Sequence, residues 1–266
     1  MSIYVRAVGA LEEEGVLAKT DRILVSCGGE TDARSLKTCG MTNVLIGNLD
    51  DGSRQRVGDY DWQYCDAEKL PFEDGSFDWG FIHAGLHHCR SPHLGLLELL
   101  RVSRKGVLVI EARDSLLMRA AVRCGMAPQY EIEAVALHPG EGGGLRNSGV
   151  PNFIYRWTER EVCKTVESAH PDSENQFRFY YGLALPEERV TMAGPMKRAF
   201  YRIASLAARA LVALVPSQGN QFAFAILKTG RNKAWIKRDA AGARLDPDYR
   251  LAFDASKYVR EEVDPL

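Results

Sequence analysis

The sequence predicts an α/β fold, in which helices cover both faces of a mostly parallel sheet. Two observations predict it. Short apolar runs recur through the N-terminal half, and helical segments separate them. This alternation indicates βαβ units, because parallel strands need a crossover connection. The runs cover residues 22–26, 43–47, 62–65, 77–82 and 106–110.

The composition and charge exclude several classes of protein function. The 266 residues include 34 Lys and Arg against 35 Asp and Glu, a net charge of −1, which excludes a basic nucleic-acid binder. Hydrophobic residues make up 45%, enough for a sizeable core. Six scattered cysteines without a CxxC pair indicate reduced thiols instead of a disulfide framework or a zinc site. We expect no metal and no nucleic-acid partner.

The sequence predicts neither a secretory signal nor a membrane-spanning helix. The N-terminus has no apolar run followed by a cleavage site, and the longest apolar stretch, 203–215, is interrupted by Arg209. We therefore expect a soluble, cytoplasmic protein without a spanning membrane segment. The sequence leaves a homodimer open.

The pattern changes after residue 115. Helices are predicted at 116–125, 159–168 and 196–215, strands at 176–181 and 220–228, and a loop at 138–144. The amphipathic helix 196–215 has two interpretations. A core helix packed on the sheet is favoured, and its basic stripe also suits an anionic membrane or a lipid-linked substrate. We expect one domain over 1–230, with 126–181 as a substrate-covering insert, and a polar extension over 231–266.

Polar and small residues follow the first two predicted strands. Cys27, Gly28 and Gly29 follow the first, where glycines let a backbone approach a ligand, although a tight turn explains them equally well. Asn48 and Asp50 follow the second. Asn48 stands 19 residues after Gly29, a spacing that suits a hydrogen bond to a ribose hydroxyl, although Asn and Asp also favour plain turns.

Several motifs stand in a defined order between residues 66 and 111: DAEKLPF, EDGSFD, GLHH and LLRVSRKGVLVIE. This set resembles the class I S-adenosylmethionine-dependent methyltransferases of the small-molecule group, over roughly residues 20–113. The resemblance implies a Rossmann-like, doubly wound sheet of seven strands. It also implies S-adenosylmethionine as cofactor.

The resemblance assigns roles to individual residues. Gly28 and Gly29 would approach the methionine part of the cofactor, and Asn48 or Asp50 the ribose. Asp66 would accept a hydrogen bond from the adenine amino group, with the Ala67 backbone beside the ring. His83 would face the site of methyl transfer.

The glycine loop departs from the family pattern D-x-G-x-G-x-G. Val25, Cys27 and Thr31 stand where the family has an acid and two glycines. Glu30 and Asp32 lie nearby as alternative acids.

Methyl transfer needs an aligned acceptor, and some acceptors need a base. His83 and His87 are the catalytic candidates, and Glu111 and Asp114 are further candidates, whereas His88 is interpreted as structural. A metal cluster of His83, His87, Cys89 and His93 is rejected, because the spacing fits no zinc pattern.

The insert is the predicted acceptor site. Tyr155 and Arg156 combine an aromatic ring with polar groups that suit a sugar, although a packed lid explains them equally well. Arg113 and Asp114 are predicted as a salt bridge or a substrate clamp.

These observations predict a methyltransferase acting on a small molecule or a glycan precursor at oxygen. The alternative is a non-catalytic, methyltransferase-like protein that acts as a binding or regulatory partner. A nicotinamide-linked dehydrogenase is disfavoured, since DAEKLPF and the LHH turn have no role there.

Overall fold

A computed structural model of the protein describes residues 1–137, 142–185, 194–240, 242–246 and 248–249. Its centre is a seven-stranded sheet in the order β3-β2-β1-β4-β5-β7-β6. The strands are β1 Ile23–Ser26, β2 Val44–Asn48, β3 Asp61–Tyr64, β4 Phe77–His83, β5 Ser103–Ala112, β6 Ser173–Gly182 and β7 Gln221–Asn232.

The first five strands of the sheet are parallel, and β7 runs antiparallel to both β5 and β6. The strand order reverses between β1 and β4, so a topological switch point lies between their carboxyl ends. Ligands of open α/β sheets bind at such a point. The predicted mostly parallel, seven-stranded sheet is confirmed.

Helices cover both faces of the sheet, as predicted. Tyr4 and Leu11 of α1 belong to one buried cluster with Phe81 of β4, and Leu99 of α3 and Val162 of α6 belong to the other. The helices are α1 Ile3–Glu13, α2 Glu30–Thr38, α3 Pro92–Val102, α4 Leu116–Arg123, α5 Ile132–Leu137, α6 Glu159–Ala169 and α7 Pro195–Leu214.

Two features of the chain depart from a regular βαβ pattern. A short 3-10 helix of six residues, Asp51–Arg56, joins β2 to β3. Helix α1 precedes the first strand and was not predicted. The Ser2 hydroxyl accepts a hydrogen bond from the Val5 amide at 3.3 Å and so caps this helix.

The expectation that the helix over 196–215 packs in the core is wrong. Met196 is 88% exposed, Ile203 72% and Leu214 83%, and none of the α7 side chains that the structure describes is buried. The physical reason is that α1, α2, α3 and α6 already cover the sheet. No helix among the described residues has the length and apolar character needed to cross a bilayer.

The predicted polar extension begins with regular structure. Strand β7 continues to Asn232, and β8 Ile236–Asp239 pairs with β9 Gly242–Leu245 in an antiparallel hairpin. Residues 250–266, and residues 138–141 of the predicted loop, lie outside the described residues.

Candidate cofactor and active site

A cavity of about 190 Å³ lies at the carboxyl ends of the central strands. Its walls come from the segments that follow β1, β2, β3 and β4, and from the insert. The lining residues include Cys27, Asn48, Asp50, Asp66, Ala67, Ala84, His88, Arg146 and Asn147. The topology thus brings the predicted Cys27, Asn48, Asp50, Asp66 and Ala67 together.

Backbone strain is concentrated around this cavity. Cys27, Ala84, Arg146 and Asn147 have φ angles of 54°, 50°, 51° and 55°, and they are the non-glycine residues with positive φ in the described part of the chain. All four line the cavity. Such backbone conformations cost free energy and cluster at functional sites. The cavity is therefore the leading candidate site.

The loop after β1 forms a cradle despite its altered sequence. The Gly28 amide donates to the Gly47 carbonyl at 3.0 Å, and a Cβ on Gly28 would lie 2.7 Å from Val25 Cγ1. At Gly29 a Cβ would meet no atom within 4 Å. The loop therefore lies against β1 and β2 and leaves open space above Gly29, as a bound ligand would need.

Asn48 and Asp50 already have partners within the chain. The Asn48 Nδ2 donates to the Gly28 carbonyl at 2.7 Å, and its Oδ1 accepts from the Asp50 amide at 3.0 Å. The Asp50 carboxylate accepts from the Gly52 amide at 3.0 Å and from Arg56 at 2.7 Å. Asn48 thus connects the loop after β1 to the loop after β2. These contacts favour the structural turn over the ribose contact among the two interpretations of Asn48 and Asp50.

Asp66 is held by the insert. Its Oδ1 accepts from the Glu68 amide at 2.9 Å, and its other oxygen forms an ion pair with Arg146. Asn147 donates to the Leu49 carbonyl at 3.2 Å. The residual cavity is smaller than the roughly 300–1,000 Å³ of a typical ligand site. The glycine loop, the Asp66 carboxylate and the Ala67 backbone are the types of group that bind this cofactor. The segment with Arg146 lines the same cavity and reduces its volume.

Asp32 supplies a buried acid to the first loop. It accepts a hydrogen bond from the Gly29 amide at 3.0 Å, and its Oδ1 lies 3.7 Å from His83 Nδ1. Burial raises the pKa of Asp32 above its ordinary value, and the nearby His83 opposes this shift. Glu30 instead points to solvent and pairs with Arg34 at 3.4 Å. His83 does not line the cavity, but the next residue, Ala84, does.

Glu111 explains the GLHH turn. Its Oε1 accepts from the amides of Gly85 and Leu86 at 2.9 and 2.7 Å, and its Oε2 lies 2.6 Å from His87 Nδ1. The Glu111 side chain is fully buried. This one carboxylate therefore holds both the turn and the imidazole.

Glu131, which the sequence did not indicate, completes a partly buried cluster with His87 and His88. Its Oε2 lies 3.5 Å from His87 Nε2 and 3.3 Å from His88 Nε2. Burial disfavours the charge on His87, but Glu111 outweighs this effect and raises the pKa of His87 to about 10. Burial also opposes the charge on Glu131, but the hydrogen bond to His87 lowers the pKa of Glu131 to about 2. No sequence signal could have placed Glu131, which lies 43 residues after His88 in a different segment.

Arg113 belongs to the packing beneath the site. It is 7% exposed, pairs with Glu159 at 2.8 Å and lies 4.9 Å from the centre of the Tyr181 ring. Asp114 pairs instead with Arg119 at 2.7 Å. The predicted salt bridge between Arg113 and Asp114 is therefore wrong, because the two side chains pair with different partners, whereas the substrate clamp stays a prediction.

A second cavity, of about 690 Å³, lies in the region of the insert and is lined by Asp114, Tyr155 and Arg156 among others. The Tyr155 hydroxyl contacts Glu161 and lies 3.3 Å from His93 Nε2. Arg156 donates to the Pro128 carbonyl at 2.6 Å, while its Nε is buried without a partner. This cavity begins where β5 ends, at the same sheet edge as the first one.

Comparisons with known proteins agree with this architecture. Residues 24–110 match the family model of a methyltransferase domain. A demethylmenaquinone methyltransferase of Renibacterium salmoninarum is 34% identical over 117 residues, which are 42% of this chain and 46% of that protein. A ubiquinone/menaquinone biosynthesis C-methyltransferase of Stenotrophomonas maltophilia is 33% identical over 99 residues, 32% of this chain and 39% of that protein. The chain thus spans less than half the length of these curated relatives.

A solved structure shares the fold. The YcgJ protein of Bacillus subtilis aligns with a TM-score of 0.50 at 12% identity, over 84% of this chain and 98% of that one. The strand order, the match over 24–110 and the predicted motif set thus agree. These findings support a class I small-molecule methyltransferase domain over residues 24–110, with S-adenosylmethionine as its cofactor.

Proposed function

We propose that the protein transfers a methyl group from S-adenosylmethionine to a ring carbon of a lipid-soluble hydroquinone. The observation that carries the cofactor part is the strained cavity at the switch point, which Cys27, Asp66 and Ala67 line. The acceptor part is supported by the curated relatives, named for demethylmenaquinone and for C-methylation. None of the relatives named above supports the sugar acceptor or the oxygen atom that the sequence suggested.

For this reaction the protein must align the acceptor with the methyl group and accept one proton. S-adenosylmethionine supplies an electrophilic methyl group on a sulfonium. The bound cofactor would give its methyl group to the ring carbon as the bond to sulfur breaks, and His83 would take the proton that the ring then releases. We assign Asp66 and Ala67 to the adenine, the Gly28–Gly29 loop to the methionine part, and Tyr155 with Arg156 to the acceptor.

His83 is the base candidate that the geometry favours over His87. Its side chain is 28% exposed beside Ala84, and the buried Asp32 carboxylate stands 3.7 Å behind its Nδ1. A partly exposed imidazole can accept a proton from an acceptor, and histidine is the usual general base near neutral pH. His87, in contrast, is enclosed by two carboxylates.

Helix α7 supports a lipid acceptor. Met196, Phe200, Ile203 and Leu214 share one exposed face, and arginines at 198, 202 and 209 share the opposite one. The helix contains no acidic residue. This charge pattern complements an anionic bilayer, and exposed apolar residues on one face suit its interface. The turn after α7 contacts the end of β5, since Ser115 Oγ donates to the Gln218 carbonyl at 3.0 Å. We propose that α7 lies on the membrane that holds the acceptor.

The domain boundaries follow from the same reasoning. We propose that residues 1–230 form the methyltransferase domain and that 126–181 cover the acceptor. Residues 231–266 would then be an extension outside the catalytic unit.

The direct experiment incubates the protein with isotopically labelled S-adenosylmethionine and a chemically reduced, short-chain demethylmenaquinone. The expected product carries the label on a ring carbon, identified by mass spectrometry and NMR. His83→Gln should lower the rate by about 10²–10⁴-fold while leaving cofactor affinity unchanged. A methoxy product, or no transfer to any hydroquinone, would contradict the proposal.

A second candidate function is a non-catalytic protein with this fold. One observation favours it: Asn48, Asp50 and Asp66 already have partners within the chain. Cofactor binding separates the two candidates, because the non-catalytic protein would not need the cofactor.

A further inference from the structure

We propose that His87, His88 and Glu131 form a binding site for a divalent first-row transition-metal ion. The ligand atoms would be the Nε2 of each histidine and one carboxylate oxygen of Glu131. These atoms lie within 4.8 Å of one another. The cluster joins the turn after β4 to the start of α5, so it spans two segments far apart in sequence.

The spacing suits an ion. Ligands that each lie about 2.1 Å from a metal are roughly 3.0–3.4 Å from one another in octahedral or tetrahedral geometry. The two Nε2 atoms lie 3.5 and 3.3 Å from the same Glu131 oxygen. Two imidazoles and one carboxylate favour a transition metal over magnesium or calcium, which prefer oxygen ligands alone.

The contacts behind the ligands supply a second, independent observation. His87 Nδ1 lies 2.6 Å from Glu111 Oε2, and His88 Nδ1 lies 3.2 Å from the Gly144 carbonyl. Histidines that bind metals nearly always donate their other ring N–H to a carboxylate or a backbone carbonyl. Both rings meet this condition, with Nδ1 as donor and Nε2 free to bind the ion.

The four ring nitrogens of His87 and His88 divide into two groups. The two Nδ1 atoms face separate oxygens, of Glu111 and of Gly144. Both Nε2 atoms face the same Glu131 oxygen, so the three ligand atoms converge.

The position of the site gives the ion a role, which rests on the proposed function. His88 also lines the cofactor cavity. Three protein ligands leave coordination positions open, so the ion would bind a hydroxyl oxygen of the acceptor ring. A metal-bound hydroxyl ionises more readily, and the ionised ring is the better carbon nucleophile. His88 is thus a positioning residue for the acceptor.

The test measures metal binding without cofactor or acceptor. Chelator-treated protein is titrated with Co²⁺ by visible absorption and with Zn²⁺ by calorimetry. We expect one ion per chain and visible d–d bands without thiolate charge-transfer absorption. His88→Gln and Glu131→Gln should abolish the bands, and Glu111→Gln should weaken binding by about 10–100-fold. Glu133→Gln, two residues from the ligand, is the matched control and should bind normally.

Circular dichroism verifies that each variant is folded. Absence of stoichiometric Co²⁺ and Zn²⁺ binding to the unaltered protein would overturn the proposal, and so would unchanged binding in both folded ligand variants. Methyl transfer is assayed separately. A protein that binds metal but transfers no methyl group contradicts only the proposed function, and active protein that binds no metal contradicts only the metal site.

Discussion

Arg146, from the insert, forms an ion pair with Asp66, the carboxylate that follows β3. Arg146 also lies 3.8 Å from Glu68, and its backbone has a φ of 51°. A strained residue therefore occupies the position at which the adenine amino group is expected. We propose that the insert and the cofactor compete for this carboxylate and that cofactor binding requires the segment with Arg146 to move.

Arg146→Gln should tighten binding of S-adenosylhomocysteine by about 1.4–5-fold. The side chains of Arg146 and Asp66 are 41% and 21% exposed, and such a pair contributes roughly 0.2–1 kcal/mol, which the cofactor no longer has to overcome. Calorimetric titration measures the change. The control variant Arg160→Gln, at an exposed arginine on α6, should have no effect. Weaker binding by Arg146→Gln would mean that Arg146 contacts the cofactor itself.

Gly28→Ala should lower stability, whereas Gly29→Ala should lower cofactor affinity. A Cβ on Gly28 would lie 2.7 Å from Val25 Cγ1 and 2.8 Å from Ile46 Cγ2, so overpacking should lower the free energy of unfolding by about 1–3 kcal/mol. A Cβ on Gly29 meets open space, so that variant should keep its stability and lose cofactor affinity. Urea denaturation and calorimetry measure the two effects. Unchanged affinity in Gly29→Ala would place the cofactor elsewhere.

Glu111→Ala should lower the free energy of unfolding by about 3–5 kcal/mol, because it leaves His87 and two buried amides without their partner. Urea denaturation provides the measurement. Glu174→Ala is the control, since Glu174 is 40% exposed and pairs with Arg231 at 3.1 Å, and it should change stability by less than about 1 kcal/mol. Similar losses for both variants would show that Glu111 does not organise the turn.

Helix α7 should bind vesicles that contain anionic lipid. We expect co-sedimentation with phosphatidylglycerol vesicles that weakens as salt is added, because its arginines are attracted to the charged surface. Ile203→Asp combined with Leu214→Asp should abolish it, and Leu94→Asp on α3 should not. Sedimentation of the double variant equal to that of the unaltered protein would exclude α7 as the membrane contact.

The sequence predicted the strands and helices, because local patterns of apolar residues determine them. The apolar runs located the five parallel strands to within a few residues, since buried strands read as continuous apolar segments. The amphipathic period of α7 was also correct. The predicted burial of α7 was wrong, because periodicity identifies an apolar face but does not identify what covers that face.

The site was predictable only in part. Asp66 and Asn48 follow strands, so topology alone brought them to one sheet edge. Glu131 and Arg146 come from the insert, whose path depends on tertiary packing, and no spacing relates them to His88 or Asp66. The Arg113 pairing failed for the same reason, because its partner Glu159 lies 46 residues away.

The most direct measurement of the central claim is calorimetric titration of the unaltered protein and of Asp66→Ala with S-adenosylhomocysteine. Asp59→Ala is the control, since the Asp59 side chain is 97% exposed ahead of β3. We predict that the unaltered protein and the control bind alike, and that Asp66→Ala binds with about 1–3 kcal/mol less free energy, as for a hydrogen bond to a charged group. Binding that Asp66→Ala leaves unchanged, or no binding by the unaltered protein, would contradict the assignment of this cavity to the cofactor.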